Sequence, residues 1–144
     1  MSEDVGSIGD TLRRAAAMVA QRSAAALTDR EVTLAESVLL RTLRDLGAVS
    51  PSVLAARMGL TRGAVTRLVD RLRAKRLVVR AAAGRDDRRY QTIALTGAGA
   101  VLIGTLLERI DASEAAIFGR LTAAERRDFD HLLRTVIAAA CSRD

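Results

Sequence analysis

The segment LAARMGLTRGAVTRL, Leu54 to Leu68, constrains the fold of this chain more than any other. Small Ala55 stands where two helices can cross closely, and Gly59, four residues on, is free to take the left-handed backbone that reverses direction between them. Val65 and Leu68 then fall where they can lock the second helix onto the first. The unit opens on Ser50-Pro51, a side-chain cap followed by a proline whose missing N–H would have no helical partner at that position anyway. This spacing is that of a helix-turn-helix.

At 100 degrees per residue, Val65, Leu68, Val69 and Leu72 share one side of the second helix, expected over 61–75. Gly63, Thr66, Arg67, Asp70 and Arg71 fall opposite or on its flanks. Such a face suits a major groove: arginine forks match guanine O6 and N7, threonine offers a hydroxyl and a methyl, and glycine lets the backbone come close. Asp70 is the exception, since phosphate repels a carboxylate. It is expected either to hold an arginine of the helix or of the following hairpin, or to form a plain i, i+3 surface pair with Arg73.

Directly after this helix, Leu77 to Ala81 and Tyr90 to Leu95 read as two short strands around the charged turn Gly84-Arg85-Asp86-Asp87-Arg88-Arg89. They form a hairpin. Apolar spacing predicts a first helix over about 8–27, and Thr33-Leu-Ala-Glu36 with Gly47 bracket a second over 34–46. The third ends at Gly59. Thr96 can cap a long fifth helix carrying Val101, Leu102, Leu106 and Ile110. Thr122-Ala-Ala-Glu125 is a second capping box, opening a sixth helix with Phe129, Leu132, Leu133, Val136 and Ile137 on its apolar side. With 49% hydrophobic residues but 2% aromatics, the core must be Ala, Leu, Val and Ile, which favours helix. The fold class is therefore mainly α with one small β-hairpin. A chain of 144 residues forms a single domain.

The net charge of +6 is unevenly spread. Between Arg57 and Arg89 stand eleven Lys or Arg and three Asp, net +8, which leaves −2 for the rest of the chain. A block of one sign is the footprint of a surface that meets a polyanion, although a solvated basic face with no partner would look the same by charge alone.

Other functional classes find little support. No apolar run approaches the roughly 20 residues that cross a bilayer, and Glu3 and Asp4 stand where a secretory leader would be basic. A cytoplasmic protein without membrane contact is expected. Cys141 is the single cysteine, so it has no intrachain disulfide or metal-knuckle partner, and an ordinary structural or surface role is expected. His131, also single, lacks the spaced His, Cys or carboxylate of a metal site and reads as a polar-face or interface residue. Gly97-Ala-Gly99 lacks the spacing of a phosphate loop. Catalysis, metal and cofactor are not expected, because no nucleophile, base and orienting group come together. A winged helix turned to protein partners would be expected to lose the arginines that this chain retains.

Helix-turn-helix and hairpin together resemble the winged helix-turn-helix of the MarR family of bacterial transcriptional regulators, over nearly the whole chain. The most specific parts are LTRGAVTRLVDRLRAKRLVVR (Leu60 to Arg80), similar to that family's recognition helix and first wing strand, and DRRYQTIALTGAG (Asp87 to Gly99), similar to its Asp-x-Arg wing leading to Leu-Thr-x-x-Gly. The resemblance implies a DNA-binding region at 33–96 and a helical dimerisation region at 8–32 and 97–144. It implies that Arg89, with Asp87 as its companion, reaches the minor groove or its phosphates, with Arg85 and Arg88 nearer the wing tip. Arg62, Gly63, Thr66, Arg67 and Arg71 would then meet double-stranded DNA on the recognition helix, with Asp70 and Asp87 orienting arginines. It further implies a homodimer on a pseudo-palindromic operator, repression as the outcome, and release by a small aromatic or lipophilic effector. Three aromatic residues in the chain would leave the lining of such a pocket mostly aliphatic.

Overall fold

Five hydroxyl side chains set where the helices begin. In the computed structural model, which describes residues 3–27, 32–82 and 91–142, Thr33, Ser50, Thr61, Thr96 and Thr122 each accept a hydrogen bond from the backbone N–H three residues on. Each thereby satisfies one of the donors that a helix start leaves without a partner. The helices they open are α2 (Leu34–Leu46), α3 (Pro51–Met58), α4 (Arg62–Ala74), α5 (Gly97–Phe118) and α6 (Ala123–Cys141), after α1 (Glu3–Ala25). Strands β1 (Val78–Ala82) and β2 (Gln91–Leu95) lie between α4 and α5.

Two of these starts differ in chemistry. At Thr122 the capping box is complete, with the Thr122 N–H donating to Glu125 Oε1 at 3.0 Å. At Thr33 the hydroxyl caps Glu36 N at 3.2 Å, but the Glu36 side chain runs inward instead, to Lys75 Nζ at 2.7 Å. Burial of that carboxylate makes an ammonium a better partner than a solvent-facing amide. The first helix begins at Glu3 rather than near residue 8, because no residue between them stops it and the first turn, Glu3 to Gly6, carries little apolar signal.

The core gathers the apolar faces of α2 (Leu39, Leu40, Leu43), α3 (Leu54, Ala55), α4 (Val65, Leu68, Val69, Leu72) and α5 (Ile103, Leu106, Ile110) around Ile93 of β2. The hairpin is antiparallel, in a register pairing Val78 with Leu95 and Arg80 with Ile93. On the far side of β2, Val49 bridges Ile93 through two backbone bonds of 3.1 and 2.7 Å, which fixes the hairpin to the α2–α3 connection.

Gly59 takes the left-handed conformation (φ 65°, ψ 32°) that turns α3 into α4. At the other end of α4 the left-handed residue is Arg76 (φ 59°). It lets Leu77 N donate back to Leu72 O at 2.9 Å, closing the helix just before β1. Thr96 ties this corner to α5: its N–H donates to Leu77 O (3.0 Å), its hydroxyl donates to Arg76 O (2.7 Å), and the same oxygen caps Gly99 N. The corner is so close that a Cβ at Gly99 would lie 2.0 Å from Leu77 O.

The ends of the chain are packed differently. No residue of α6 is buried, and Ile8, Met18, Leu132, Val136 and Ile137 are all more than half exposed. Arg126 Nη1 holds α6 to the end of α5 by donating to Leu121 O (3.0 Å) and Phe118 O (3.4 Å), and the rings of Phe118 and Phe129 stand 6.3 Å apart.

Candidate nucleic-acid interface

The α4 helix separates into two faces. Val65, Leu68, Val69 and Leu72 are 0–7% exposed, whereas Arg62, Gly63, Thr66, Arg67, Asp70 and Arg71 are all exposed. Three guanidinium groups thus flank a low floor made by Gly63 and Thr66. The Thr66 hydroxyl donates to Arg62 O at 2.9 Å, within the helix.

Two ion pairs hold this helix in place. Near its C-terminal end Lys75 Nζ meets Glu36 of α2 at 2.7 Å, and Glu36 is 1% exposed. A buried carboxylate paired in this way ties α4 to the centre of the core, since Lys75 cannot leave without stranding the Glu36 charge in a low-dielectric surrounding. Toward the hairpin, Asp70 Oδ1 lies 3.4 Å from Arg80 Nη2 and 3.9 Å from Arg73 Nη1. The structure brings Asp70 to an arginine of the hairpin and to its i, i+3 neighbour alike.

Arg80 is the residue that motif reading passed over. Its guanidinium joins three elements, meeting Asp70 on α4 and donating from Nη1 to Gln91 Oε1 on β2 at 3.3 Å. Its Nε is buried with no hydrogen-bond partner among the described residues. Strand alternation held the signal: Arg80 is two residues from buried Val78 and so shares its inward face, while Val79 and Ala81 face out. Arg85, Asp87, Arg88 and Arg89 lie at 83–90, outside the described residues.

Among the described residues no three His, Cys, Asp or Glu stand together as metal ligands. Nor is any helix there long and apolar enough to cross a membrane. His131 and Cys141 are both exposed on α6.

Residues 31–89, which include the helix-turn-helix and the first hairpin strand, match the model of the MarR family. Solved structures extend the likeness over the whole fold. A transcriptional regulator of that family from Rhodococcus sp. superposes with a TM-score of 0.83 at 26% identity, covering 95% of this chain and 96% of that one. BpsR of Bordetella bronchiseptica, whose DNA binding is regulated by 6-hydroxynicotinic acid, gives 0.82 at 28% identity over 90% of this chain and 98% of that one. CouR of Rhodococcus jostii, solved with p-coumaroyl-CoA, gives 0.82 at 26% over 90% and 91%. No curated protein sequence matches the chain. With the helix-turn-helix, the hairpin and the flanking helices all arranged as in these proteins, the chain has the fold of the MarR family of transcriptional regulators, whose model its residues 31–89 match.

Proposed function

We propose that the protein is a homodimeric, sequence-specific DNA-binding regulator of the cytoplasm that represses transcription from a pseudo-palindromic operator. The observation that carries this reading is the exposed face of α4, where Arg62, Arg67 and Arg71 surround Gly63 and Thr66 over a fully packed opposite side. Phosphate contacts from the basic block at 57–89 set the register, and α4 reads base edges, each good bidentate contact being worth about 1–3 kcal/mol. The hairpin, with Arg85, Arg88 and Arg89, is the wing, and Asp70 and Asp87 orient its arginines.

The exposed apolar side chains of α1 and α6 support a second copy as their partner, with 8–32 and 97–144 as the dimerisation region and 33–96 as the DNA-binding region. A two-fold axis between them would set the two α4 helices about 34 Å apart, one turn of DNA. An effector is supported by the small molecules named for BpsR and CouR. It is supported also by an apolar groove of about 370 Å3 between α1, α2, α5 and α6, lined by Leu12, Val19, Val38, Phe118 and Phe129. Ser23 and Glu114, whose side chains lie 3.3 Å apart, are its polar end. This composition suits a small aromatic or lipophilic compound.

Selection of binding sites from random duplex DNA by the purified protein tests the reading. A two-fold-symmetric site should be enriched, and Arg89→Ala should lower the slope of log affinity against log salt by about one. Absence of any enriched site would overturn the proposal.

A further inference from the structure

Threonine on a reading helix can address a base in two ways, as a hydroxyl donor or acceptor or through its methyl group, and the structure separates them at Thr66. The hydroxyl hydrogen is committed to Arg62 O at 2.9 Å, one turn back along α4. Threonine makes this bond readily in a helix. The oxygen is thereby drawn against the helix backbone beside a carbonyl. With the donor spent, the oxygen keeps only acceptor capacity close to the Arg62 carbonyl; the other group the exposed side chain offers is its methyl, and the base edge that answers a methyl in the major groove is thymine, through its C5-methyl.

Gly63, one turn before Thr66, supplies the second observation. Glycine is unfavourable in a helix compared with alanine, so its presence calls for a reason. Here the fold offers none: its backbone is not in the left-handed region, and a Cβ built on it would meet nothing closer than Thr61 Oγ1 at 4.0 Å. This contrasts with Gly99, where a Cβ would strike the chain's own backbone. The space beside Gly63 is open outward. A short side chain such as threonine can touch a base edge if its neighbours on the same face do not hold the DNA away, and a bare backbone one turn along provides that clearance.

We infer that Gly63 and Thr66 form a close-approach patch that reads thymine by methyl contact, and that the Thr66 hydroxyl takes no part in base recognition. This rests on the reading of α4 as a recognition helix. It specifies what the three arginines cannot, since guanidinium groups select guanine or phosphate.

Site selection with the wild type, Thr66→Val and Thr66→Ser provides the test. Valine keeps the methyl and loses the hydroxyl; serine does the reverse. Wild type and Thr66→Val should enrich the same half-site, with thymine at one position where Thr66→Ser shows no preference. Replacing that thymine by deoxyuridine, which lacks the C5-methyl, should weaken the wild type and Thr66→Val by about fourfold, the worth of one methyl group removed from water. Thr66→Ser should be unaffected by the same replacement. Gly63→Ala should raise the melting temperature while lowering affinity for the selected site at least tenfold. Melting curves of both Thr66 variants identify any that fail to fold, and the deoxyuridine duplex tests the wild type without a mutation. The inference is overturned if Thr66→Val changes the preferred base while Thr66→Ser keeps it, or if the wild type binds thymine and deoxyuridine equally at every position. Failure of the wild type to enrich any site would instead overturn the DNA-binding reading, and this one with it.

Discussion

Gly99→Ala is the substitution whose effect can be worked furthest from the structure. The Cβ it adds would lie 2.0 Å from Leu77 O and 3.0 Å from Leu77 C, whereas an unstrained carbon–oxygen contact is about 3.3 Å. One of the two backbones must therefore move by roughly 1 Å. Neither is free to do so. Leu77 O accepts Thr96 N at 3.0 Å, Leu77 N donates to Leu72 O at 2.9 Å, and Gly99 N is held by Thr96 Oγ1 at 3.1 Å. Behind α5, Ile103 and Leu106 are completely buried and resist displacement of the helix. Overpacking of this kind costs about 1–3 kcal/mol and sometimes more. Against it stands about 1 kcal/mol from replacing glycine by a good helix former. The clash is with backbone on both sides, so the upper part of the range applies and a net loss of about 2 kcal/mol is expected.

The control lies in the same helix. A Cβ at Gly104 meets nothing within 4 Å, so Gly104→Ala should gain about 0.5–1 kcal/mol from helix propensity alone. For a chain of this size 1 kcal/mol shifts the melting temperature by roughly 3 °C. Thermal unfolding followed by circular dichroism, at one protein concentration, should place Gly99→Ala about 6 °C below the wild type and Gly104→Ala 1–3 °C above it. A Gly99→Ala protein that melts at or above the wild type would refute the reasoning, since propensity would then have outweighed the contact.

Three further outcomes follow from the ion pairs and caps. Lys75→Met should destabilise by about 2 kcal/mol, less than the 3–5 expected of a fully enclosed pair because Lys75 keeps some solvent contact, and adding Glu36→Gln should recover part of the loss in urea unfolding. Asp70→Ala and Arg80→Ala should each cost little stability, because the pair is partly exposed, yet both should weaken specific DNA binding, and the double variant should be no weaker than the worse single one in a titration. The Thr122 N–H donating to Glu125 holds that carboxyl below its ordinary range. A depressed folded-state value means that the cap's contribution is present above the unfolded value and is lost as pH falls through the folded one. Protection of the amides at the start of α6, taken as the intrinsic exchange rate at each pH divided by the observed rate, should therefore fall below about pH 4 while remaining flat from pH 5 to 8.

What the sequence made legible is what neighbours along the chain decide. Thr33, Ser50, Thr96 and Thr122 were readable as helix starts because the donor that each satisfies is three residues away. The buried face of α4 was readable because Val65, Leu68, Val69 and Leu72 recur with the helical period. The hairpin could be placed to within one residue at each strand start, since a charged turn and alternation are both local. Glu36 marks where this reasoning stops. Read locally it completes a capping box, and nothing within ten residues of it argues otherwise; its partner Lys75 is 39 positions on.

The same separation explains why Arg80 escaped notice and Asp70 did not. Asp70 is conspicuous as a carboxylate on a basic face, but Arg80 is one of eleven cations in its block and is distinguished only by the side of the strand it occupies. That side is fixed by register, which depends on Val49 bridging Ile93 and on Thr96 closing the corner at Leu77. Arg76 makes a related point. Its left-handed backbone sits where glycine would be the ordinary choice, at a cost of about 1–2 kcal/mol for a side-chain-bearing residue. The bonds that Arg76 and Leu77 make to Arg73, Leu72 and Thr96 hold it there. A corner that must be held by bonds from α4 and from Thr96 forms only when both elements are present, so the angle between α4 and the hairpin is a property of the assembled domain rather than of the hairpin's own sequence.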